Sequence, residues 1–259
     1  MHRLDFEIDK PRLRRAWGKI DQVFSSHGLT LRRGYDFEEV DRLAALNGIK
    51  VLEAHFTPKL NTYTNGRAFW LGLIDSNGRL VGRVCARLDA MVPPMTLTEF
   101  WRKYFHRCYP TELGERVVLA PDQPRFAQYI TGKTVYLGGT EVNADWRGKK
   151  LGGYLNRMAQ IEALDEWDAD YFYGWMEART FKNGFLLDCG FARVHEQAVR
   201  WLRGGPAPID DNLILAANSR EDVLDMIDRM LDGPPRPVTS KKSAQNQPRI
   251  ETSEPDGPA

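Results

Sequence analysis

The sequence between residues 133 and 191 constrains the fold more than any other part, because strand and helix patterns alternate there with short connections. "KTVYLGGTEV" predicts a strand, and a glycine-rich turn separates it from "LGGYLNRMAQIEALDEW", which has helical spacing. The continuous apolar run "DYFYGWME" is typical of a strand covered on both faces, and "ARTFKNGFLLDCGF" predicts a helix ending at Gly190. The first helix has one apolar face, made of Leu151, Leu155, Met158 and Ile161. This alternation predicts a sheet covered by helices.

The flanking segments add further elements. Helices are predicted for "PRLRRAWGKIDQVFSSHG", for "DFEEVDRLAALNG" opening on Asp36, and for "SREDVLDMIDRML", capped by Ser219 with Asp222 in the reciprocal position. Two β-prone runs around the Asn-Gly pair at 77–78 predict a hairpin. "LTLRRG", "ARVHEQAVRWL" and "DNLILAAN" predict three more strands, and "TLTEFWRKYFHRCY" predicts a helix. The fold class is therefore α/β or α+β in a single domain.

Composition limits the classes of function. With 259 residues, 42% of them hydrophobic, the chain is long enough to bury a sizeable core. A formal net charge of +1 argues against general affinity for nucleic acid or an anionic membrane. No apolar run approaches the length of a membrane span, and the N-terminus lacks the apolar region of a signal peptide. We therefore expect a cytoplasmic protein with no nucleic-acid or membrane partner.

Cysteine spacing and tail composition add two expectations. Cys85, Cys108 and Cys189 lack the paired spacing of a metal or redox site, so we expect reduced, mostly buried thiols and no metal ion. The stretch from Gly233 onward is rich in Pro, Ser and charge, and is predicted to be disordered.

The turn "DWRGKKLGGYL" combines features that suit an anion. The first N–H groups of the following helix have no partner within it, and together with the helix dipole they favour a phosphate. Glycines allow the backbone to approach a ligand closely, and cationic side chains suit a pyrophosphate. The glycines are Gly148, Gly152 and Gly153, and the cations are Arg147, Lys149 and Lys150. A solvated basic loop is the alternative for so short a motif.

The stretch from about Val135 to Phe191 resembles the core of the GCN5-related N-acetyltransferase (GNAT) family. That family has a strand, an R-x-x-G-x-G/A loop that opens a long helix, a buried strand, and a helix ending in "GF". Here these parts correspond to "VYLGGTEVNADWRGKKLGGYL", "DYFYGWME" and "FKNGFLLDCGF", and "FWLGLIDSNGRLVGRVCARL" resembles the preceding hairpin. The resemblance implies a mixed, mostly antiparallel sheet. It divides the chain into a helical extension (1–28), the acyltransferase domain (29–232) with an insertion at about 90–131, and the tail (233–259).

The resemblance also implies a ligand and a reaction. Acetyl-CoA, or another acyl-CoA, would be the co-substrate, and the acetyl group would pass to a primary amine by direct attack. The acceptor would be a small-molecule or peptide amine, and a homodimer is left open. The strand end at Val142 would pair with the pantetheine arm and polarise the thioester carbonyl, an oxyanion-type contact. Asn183 lies near a position where the family often has asparagine. The pyrophosphate would bind Arg147, Gly148, Lys149, Lys150, Leu151, Gly152 and Gly153.

Two positions depart from the family pattern. Lys150 occupies the first glycine position, where its Cβ would obstruct the backbone unless φ stays negative. Leu186 stands where many members have a tyrosine that protonates the thiolate, and leucine cannot donate a proton. Tyr173 and Tyr154 are substitutes in principle, although core packing is the commoner role of such residues.

A general base would have to take a proton from the amine. Strand alternation places Glu141 at the end of an otherwise apolar face, where desolvation would make its carboxylate a better base. Glu177, at the end of the next strand, is the second candidate. Both are equally compatible with solvated strand-end carboxylates. The predicted face comprises Val135, Leu137, Gly139 and Glu141.

Three alternatives remain at this point. A catalytically silent domain that binds CoA or a protein partner would explain both departures. A long-chain acyltransferase could use the aromatic residues of the insertion, Trp101, Tyr104, Phe105 and Tyr109, to line a larger pocket. "AQYITGKT" fits a relaxed P-loop, but the sequel is strand-like, whereas a P-loop requires a helix there.

Overall fold

The computed structural model describes residues 8–63, 66–92, 95–105, 108, 117–202 and 213–233. Within these ranges seven strands form one sheet, and α-helices pack on both its faces. The strands are β1 (Thr30–Gly34), β2 (Ala68–Ile74), β3 (Leu80–Met91), β4 (Gly132–Val142), β5 (Tyr171–Met176), β6 (Arg193–His195) and β7 (Ile214–Ser219). The helices are α1 (Lys10–Ser26), α2 (Phe37–Leu46), α3 (Leu97–Tyr104), α4 (Leu151–Trp167), α5 (Ala178–Lys182), α6 (Phe185–Asp188) and α7 (Arg220–Asp232).

The sheet is mixed. Its strands follow the order β1-β2-β3-β4-β5-β7-β6. Every neighbouring pair is antiparallel except β4 and β5, which run parallel. Because a parallel pair needs a crossover of a dozen or more residues, α4 serves as the return path between them. The predicted class, a mostly antiparallel sheet flanked by helices, is confirmed.

Helices bury both faces of the sheet. The apolar residues of α1, α4 and α7 pack on one face, which we call the α4 face. Those of α2 and α3 pack on the opposite face, the α2 face, which is rich in aromatic side chains. The four apolar residues predicted to share one side of α4 are all buried in the first cluster. The helical period of the sequence therefore identified the core side of α4 correctly.

Local signals for turns and caps are also confirmed. In the β2–β3 hairpin, Asp75 Oδ1 accepts hydrogen bonds from the backbone N–H groups of Asn77 and Arg79, both at 2.9 Å. Asp36 caps α2 with its side chain. Ser219 and Asp222 form the predicted reciprocal capping box of α7.

Two predicted elements differ from the structure. The single helix expected before Gly190 is divided into α5 and α6, because Gly184 adopts φ 75° and breaks the helical path. The strand expected over "ARVHEQAVRWL" is limited to the three residues of β6. The predicted disordered tail lies, except for Gly233, outside the described residues.

The parallel pair β4–β5 separates soon after it forms. Thr134, Val135 and Tyr136 pair with residues 171–173, and neither strand has a partner in the other beyond that point within the described residues. A Cβ on Gly174 would lie 2.8 Å from the carbonyl oxygen of Leu137, so the two backbones are in contact there. We call the gap beyond this contact the strand cleft. Its closed end is at Leu137 and Gly174, and its open end is at the carboxyl ends of both strands.

A bulge in β4 changes the predicted face of Glu141. The four residues of β4 from Gly138 to Glu141 lie opposite only three of β3, from Cys85 to Arg83, and Gly139 adopts φ 59°. The extra residue places Glu141 on the α2 face, whereas Val135 and Leu137 pack on the α4 face. The prediction that strand alternation places Glu141 on the same face as Val135 and Leu137 was therefore wrong, because the bulge shifts the alternation by one residue.

The helices α4 and α6 meet at Gly153. A Cβ there would lie 2.7 Å from both the Cβ and the carbonyl oxygen of Asp188. Backbone atoms cannot move away cheaply, so the contact needs glycine.

We expect Gly153→Ala to lower the free energy of unfolding by about 1–3 kcal/mol because it overpacks this contact. Gly18→Ala in α1 is the matched control, since its Cβ would meet nothing within 4 Å and alanine raises helix stability by about 0.5–1 kcal/mol. Urea denaturation of both variants measures the difference. Equal stabilities of the two variants would contradict the packing argument.

Candidate functional site

The open end of the strand cleft presents backbone groups of β4. The N–H of Asn143 donates to the carbonyl of Val81 on β3 at 2.9 Å. Consecutive residues of an antiparallel strand alternate between groups that face the partner and groups that face away. Val142, paired with Gly82, therefore directs its N–H and C=O away from β3 and into the cleft. This supports the predicted role of Val142 as a hydrogen-bonding edge for an extended ligand.

The loop between β4 and α4 begins with a short 3-10 helix, Ala144–Trp146. The Asn143 side chain accepts a hydrogen bond from the N–H of Asp145 at 3.1 Å and donates one to the carbonyl of Asn47 at 3.1 Å. The loop is thereby fixed to the end of α2. The ammonium of Lys149 lies 4.2 Å from the ring centroid of Trp146, so its charge is held against the loop by a cation–π contact.

Arg147 is engaged with the end of β4. Its Nε donates to the Val142 carbonyl at 3.2 Å, and its Nη2 donates to Glu141 Oε1 at 3.2 Å. Glu141 is therefore an ion-pair partner at the open end of the cleft. The geometry supports Arg147 as an anchor of the loop, and a bound anion would have to compete with Glu141 for its guanidinium.

Lys150 adopts the backbone conformation that the sequence analysis identified as unfavourable. It precedes α4 with φ 57° and ψ 14°, in the left-handed region that favours glycine. The condition of a negative φ is thus not met. Its Nζ lies 2.9 Å from Asp188 Oδ1, so the side chain bridges α4 to α6. The positive charge of Lys150, which was expected to contribute to phosphate binding, is therefore already paired with Asp188.

The three glycines of the turn have different roles. Gly148 has φ 82°, and an added Cβ would meet nothing within 4 Å, so its surface is open to a ligand. A Cβ on Gly152 would lie 3.2 Å from the ring of Phe185, and Gly153 contacts Asp188 as described above. The last two are explained by packing of α4 on α6. The side chain of Leu151 is buried in the core. Leu151, Gly152 and Gly153 can therefore offer an anion only their backbone N–H groups.

The first turn of α4 has no side-chain cap. The residue before the helix, Lys150, makes no capping hydrogen bond, and α4 is long enough, at 17 residues, to have a full dipole. The N–H groups of this turn therefore lie at the open end of the cleft as a group of donors for an anion.

Two carboxylates share the open end with a lysine. Glu177 is exposed and directly follows β5. The pKa of Lys50 is raised, mainly by its hydrogen bond to Glu53 and to a lesser extent by the charges of Glu141 and Glu177. Both candidate bases therefore lie near one ammonium group at the open end.

Tyr173 lies at the closed end. It is 1% exposed, and its hydroxyl donates to Asp89 Oδ2 at 3.5 Å. Burial, followed by the charge of Asp89, raises its pKa well above 10, so the phenol stays protonated. Among Glu141, Glu177 and Tyr173, the residues predicted to transfer protons, only Tyr173 lies near the closed end of the strand cleft. Tyr154, the other phenol considered, is half-buried on α4.

Sequence analysis missed a buried ion pair at this end. Arg87 Nε donates to Asp89 Oδ1 at 2.9 Å and its Nη2 to Oδ2 at 3.1 Å, while Nη1 donates to the His55 carbonyl at 2.7 Å. Burial opposes the charge of Arg87, but the carboxylate of Asp89 outweighs it and raises the pKa of the guanidinium. The signal was present, since charged residues alternate with apolar ones in "GRVCARLDAM".

Two further positions taken from the family resemblance, Leu186 and Asn183, lie in different surroundings. Leu186 is buried at 5% exposure and belongs to the core. Asn183 is exposed and ends α5, where its backbone N–H donates to Phe181. It remains a proposed ligand contact.

The aromatic residues of the insertion pack as core. Trp101 and Phe105 are both nearly inaccessible, and their rings lie 5.1 and 5.6 Å from that of Trp175. Tyr104 packs on Phe100 at 4.7 Å, and Tyr109 lies outside the described residues. These contacts give no support to a long-chain pocket lined by the described residues of this set.

The P-loop hypothesis is wrong. The segment before Gly132 contains a 3-10 helix, Arg125–Gln128, and Gly132 itself opens β4. A strand follows the glycine–lysine pair where a P-loop needs a helix.

In the part of the chain that the structure describes, no group of His, Cys, Asp and Glu has a metal-binding arrangement. No described helix is long and apolar enough to cross a bilayer.

Comparison with known proteins gives distant structural likenesses only. No family model and no curated protein matches the chain. Arabidopsis thaliana NAA60 in complex with acetyl-CoA is similar at TM-score 0.45 and 11% identity, over 74% of this chain and 99% of that one. The spermidine/spermine N-acetyltransferase SpeG from Vibrio cholerae gives 0.42 and 11%, over 77% and 98%. The ribosomal-protein-S5-alanine acetyltransferase from Vibrio fischeri gives 0.43 and 13%, over 75% and 94%. At these values the likenesses determine neither substrate nor mechanism.

The conformation of Lys150 leads to a stability prediction. Lys150→Gly and Lys150→Ala both remove the ion pair with Asp188, but glycine alone relieves the left-handed strain. We expect the glycine variant to be more stable than the alanine variant by about 1 kcal/mol. Chemical denaturation of the two variants side by side measures this difference. An alanine variant as stable as the glycine variant would show that the loop relaxes to a negative φ.

Proposed function

We propose that the chain is an acyl-CoA-dependent N-acyltransferase that transfers an acetyl group from acetyl-CoA to a primary amine. The observation that carries the proposal is the strand cleft: a parallel pair hydrogen-bonded over three residues, with an anion-accepting loop at its open end. The GNAT-like sequence motif falls on that loop. An extended acyl carrier has a place here along the free edge of β4.

The arrangement supports one orientation for such a ligand. Its pyrophosphate would receive hydrogen bonds from the N–H groups between Gly148 and Gly153, with Lys149 supplying charge. Its arm would extend along β4 and accept from the N–H of Val142. The cleft narrows toward Leu137 and Gly174, so the thioester would lie toward that closed end.

The amine would attack the thioester carbon directly. A carbon–nitrogen bond forms, the carbon–sulfur bond breaks, and the thiolate leaves with the bonding electrons. Preorganised backbone donors would stabilise the oxyanion that develops on the way. Tyr173 would give a proton to the thiolate, since its pKa keeps it protonated. Glu141 and Glu177 would lie about 13 Å along the strand from this point, where they would border the carrier's phosphate end.

A silent CoA-binding or protein-interaction module is the second candidate. The strain at Lys150 and its pairing with Asp188 favour it, because both reduce what the loop offers to phosphate. Formation of an amide product distinguishes the two candidates.

Ligand-dependent thermal stability tests the co-substrate. At a hundredfold excess over Kd, acetyl-CoA and CoA should each stabilise the fold by about 2.7 kcal/mol, which raises Tm by roughly 5–10 °C. ATP should not, since it lacks the pantetheine arm. The gain should fall in the variant Lys149→Ala/Lys150→Ala, and remain in the charge-matched control Lys59→Ala/Lys103→Ala. No shift with either CoA species would contradict the proposal.

A further inference from the structure

A cavity of about 350 Å³ lies between α4, α6 and α7, on the α4 face of the sheet. We call it the α7 cavity. Its size is at the small end of the range for ligand sites, roughly 300–1,000 Å³. Apart from a glycine, its lining side chains are either apolar or cationic: Leu187, Phe191, Met226, Met230, Arg157 and Arg229. This composition suits a small molecule that combines an apolar body with a negative charge.

The inner wall of the cavity is apolar. Phe191 and Met226 are buried, at 6% and 3% exposure, and both belong to the core cluster of the α4 face. Gly190 also lines the cavity and adopts φ 78°, and a Cβ on it would collide with the Met226 sulfur. At the rim, the Leu187 side chain is 72% exposed. Its apolar surface therefore faces water, and a ligand that covers it gains hydrophobic stabilisation.

The guanidinium of Arg157 is already fixed in position. Its Nε donates to the Asp188 carbonyl at 2.8 Å, and its Nη2 donates to the Leu187 carbonyl at 3.0 Å. These two bonds use two of its three nitrogens and leave Nη1 for a further acceptor. Because the side chain is ordered before any ligand arrives, a ligand that accepts from Nη1 loses little affinity to conformational entropy.

A second guanidinium, that of Arg229, lies in the exposed last turn of α7. The helix dipole favours a cation at this end, which explains the residue type but not the cavity beside it. Two guanidiniums at one cavity can each donate to one oxygen of a carboxylate. The cavity between α1 and α4 differs in both respects, since its volume is about 230 Å³ and its charged side chains, Arg14, Glu162 and Asp165, are of mixed sign.

We propose that the α7 cavity binds a small carboxylate with an apolar chain or ring, at a site separate from that of the acyl-CoA. The carboxylate accepts hydrogen bonds from Arg157 and Arg229, and the apolar body lies against Met226 and Leu187. The inference is independent of the proposed function, because the lining residues come from α4, α7 and the segment 187–191. Arg157 lies six residues after Leu151, about 9 Å along the axis of α4 from the N–H groups proposed to bind phosphate.

Calorimetric titration of the full chain with three probes tests the class of ligand. Octanoate should bind with a Kd below about 1 mM, because it pairs with both guanidiniums and covers the apolar wall. Octylamine has a chain of the same length with the opposite charge, and acetate has the charge without the chain. Each of these should bind at least about tenfold more weakly. A Kd for octanoate above about 1 mM, or equal affinities for octanoate and octylamine, would overturn the inference.

NMR spectra of protein labelled at the methionine methyl groups locate the ligand. Octanoate should shift the resonances of Met226 and Met230 and leave that of Met91, which is buried on the opposite face of the sheet. Acetyl-CoA should not displace octanoate. Displacement would assign the cavity to the acyl-CoA site and overturn the inference, as would unshifted Met226 and Met230 resonances. A protein that binds octanoate here but no acetyl-CoA would contradict the proposed function alone.

Two substitutions of exposed side chains test the residues without disturbing the core. Arg229→Ala removes one guanidinium, and Leu187→Asp places a carboxylate at the rim that competes for both. Each should raise the Kd for octanoate at least about fivefold. Arg15→Ala, at an exposed arginine of α1, is the matched control and should leave the Kd unchanged. Thermal melting without ligand shows that the variants are folded, and an unchanged Kd in both Arg229→Ala and Leu187→Asp would overturn the assignment.

Discussion

The partial pairing of β4 with β5 is the constraint on which the rest of the structure depends. Parallel strands within a sheet normally satisfy each other's backbone groups along their whole length. Here the contact between Gly174 and Leu137 holds the strands together, and beyond it the hydrogen bonds stop. A strand edge without a partner strand inside a sheet must be completed by side chains, water or a ligand, and Arg147 already donates to the Val142 carbonyl there. The bulge at Gly139, the loop after Val142 and the position of α4 all surround that edge.

Periodicity and turn chemistry predicted most of the fold. The bounds of α4, the hairpin at residues 77–78 and the capping box at Ser219 each follow from interactions within a few residues. The two failed predictions have different causes, one a contact between distant segments and the other the backbone of a single glycine. The β4 bulge is defined only by its register with β3, and the division of the helix before Gly190 depends on one glycine with positive φ. Neither feature alters the local hydrophobic pattern from which elements are predicted.

The candidate site was predictable in part, for the same reason. The loop residues from Arg147 to Gly153 were found because a short motif carries them, but the motif did not reveal their individual roles. Gly152 and Gly153 permit close packing on Phe185 and Asp188 of α6, contacts 33 and 35 residues away in sequence that no local pattern records. In the sequence, Arg87 and Asp89 have the alternation with apolar residues that is typical of a half-exposed strand. Their burial becomes evident only once α3 and the segment containing His55 cover the α2 face.

The two ends of the strand cleft differ in how charge is balanced. At the open end Arg147 faces Glu141, Lys150 faces Asp188 and Lys50 faces Glu53. These pairs are largely exposed, so each costs little to exchange for a phosphate. At the closed end one buried pair is held by several fixed contacts and cannot be exchanged without leaving a charge in the core. The open end is therefore adaptable toward an anion, whereas the closed end keeps a carboxylate and a phenol in one fixed geometry. Binding affinity and proton transfer are thus assigned to opposite ends of one strand pair.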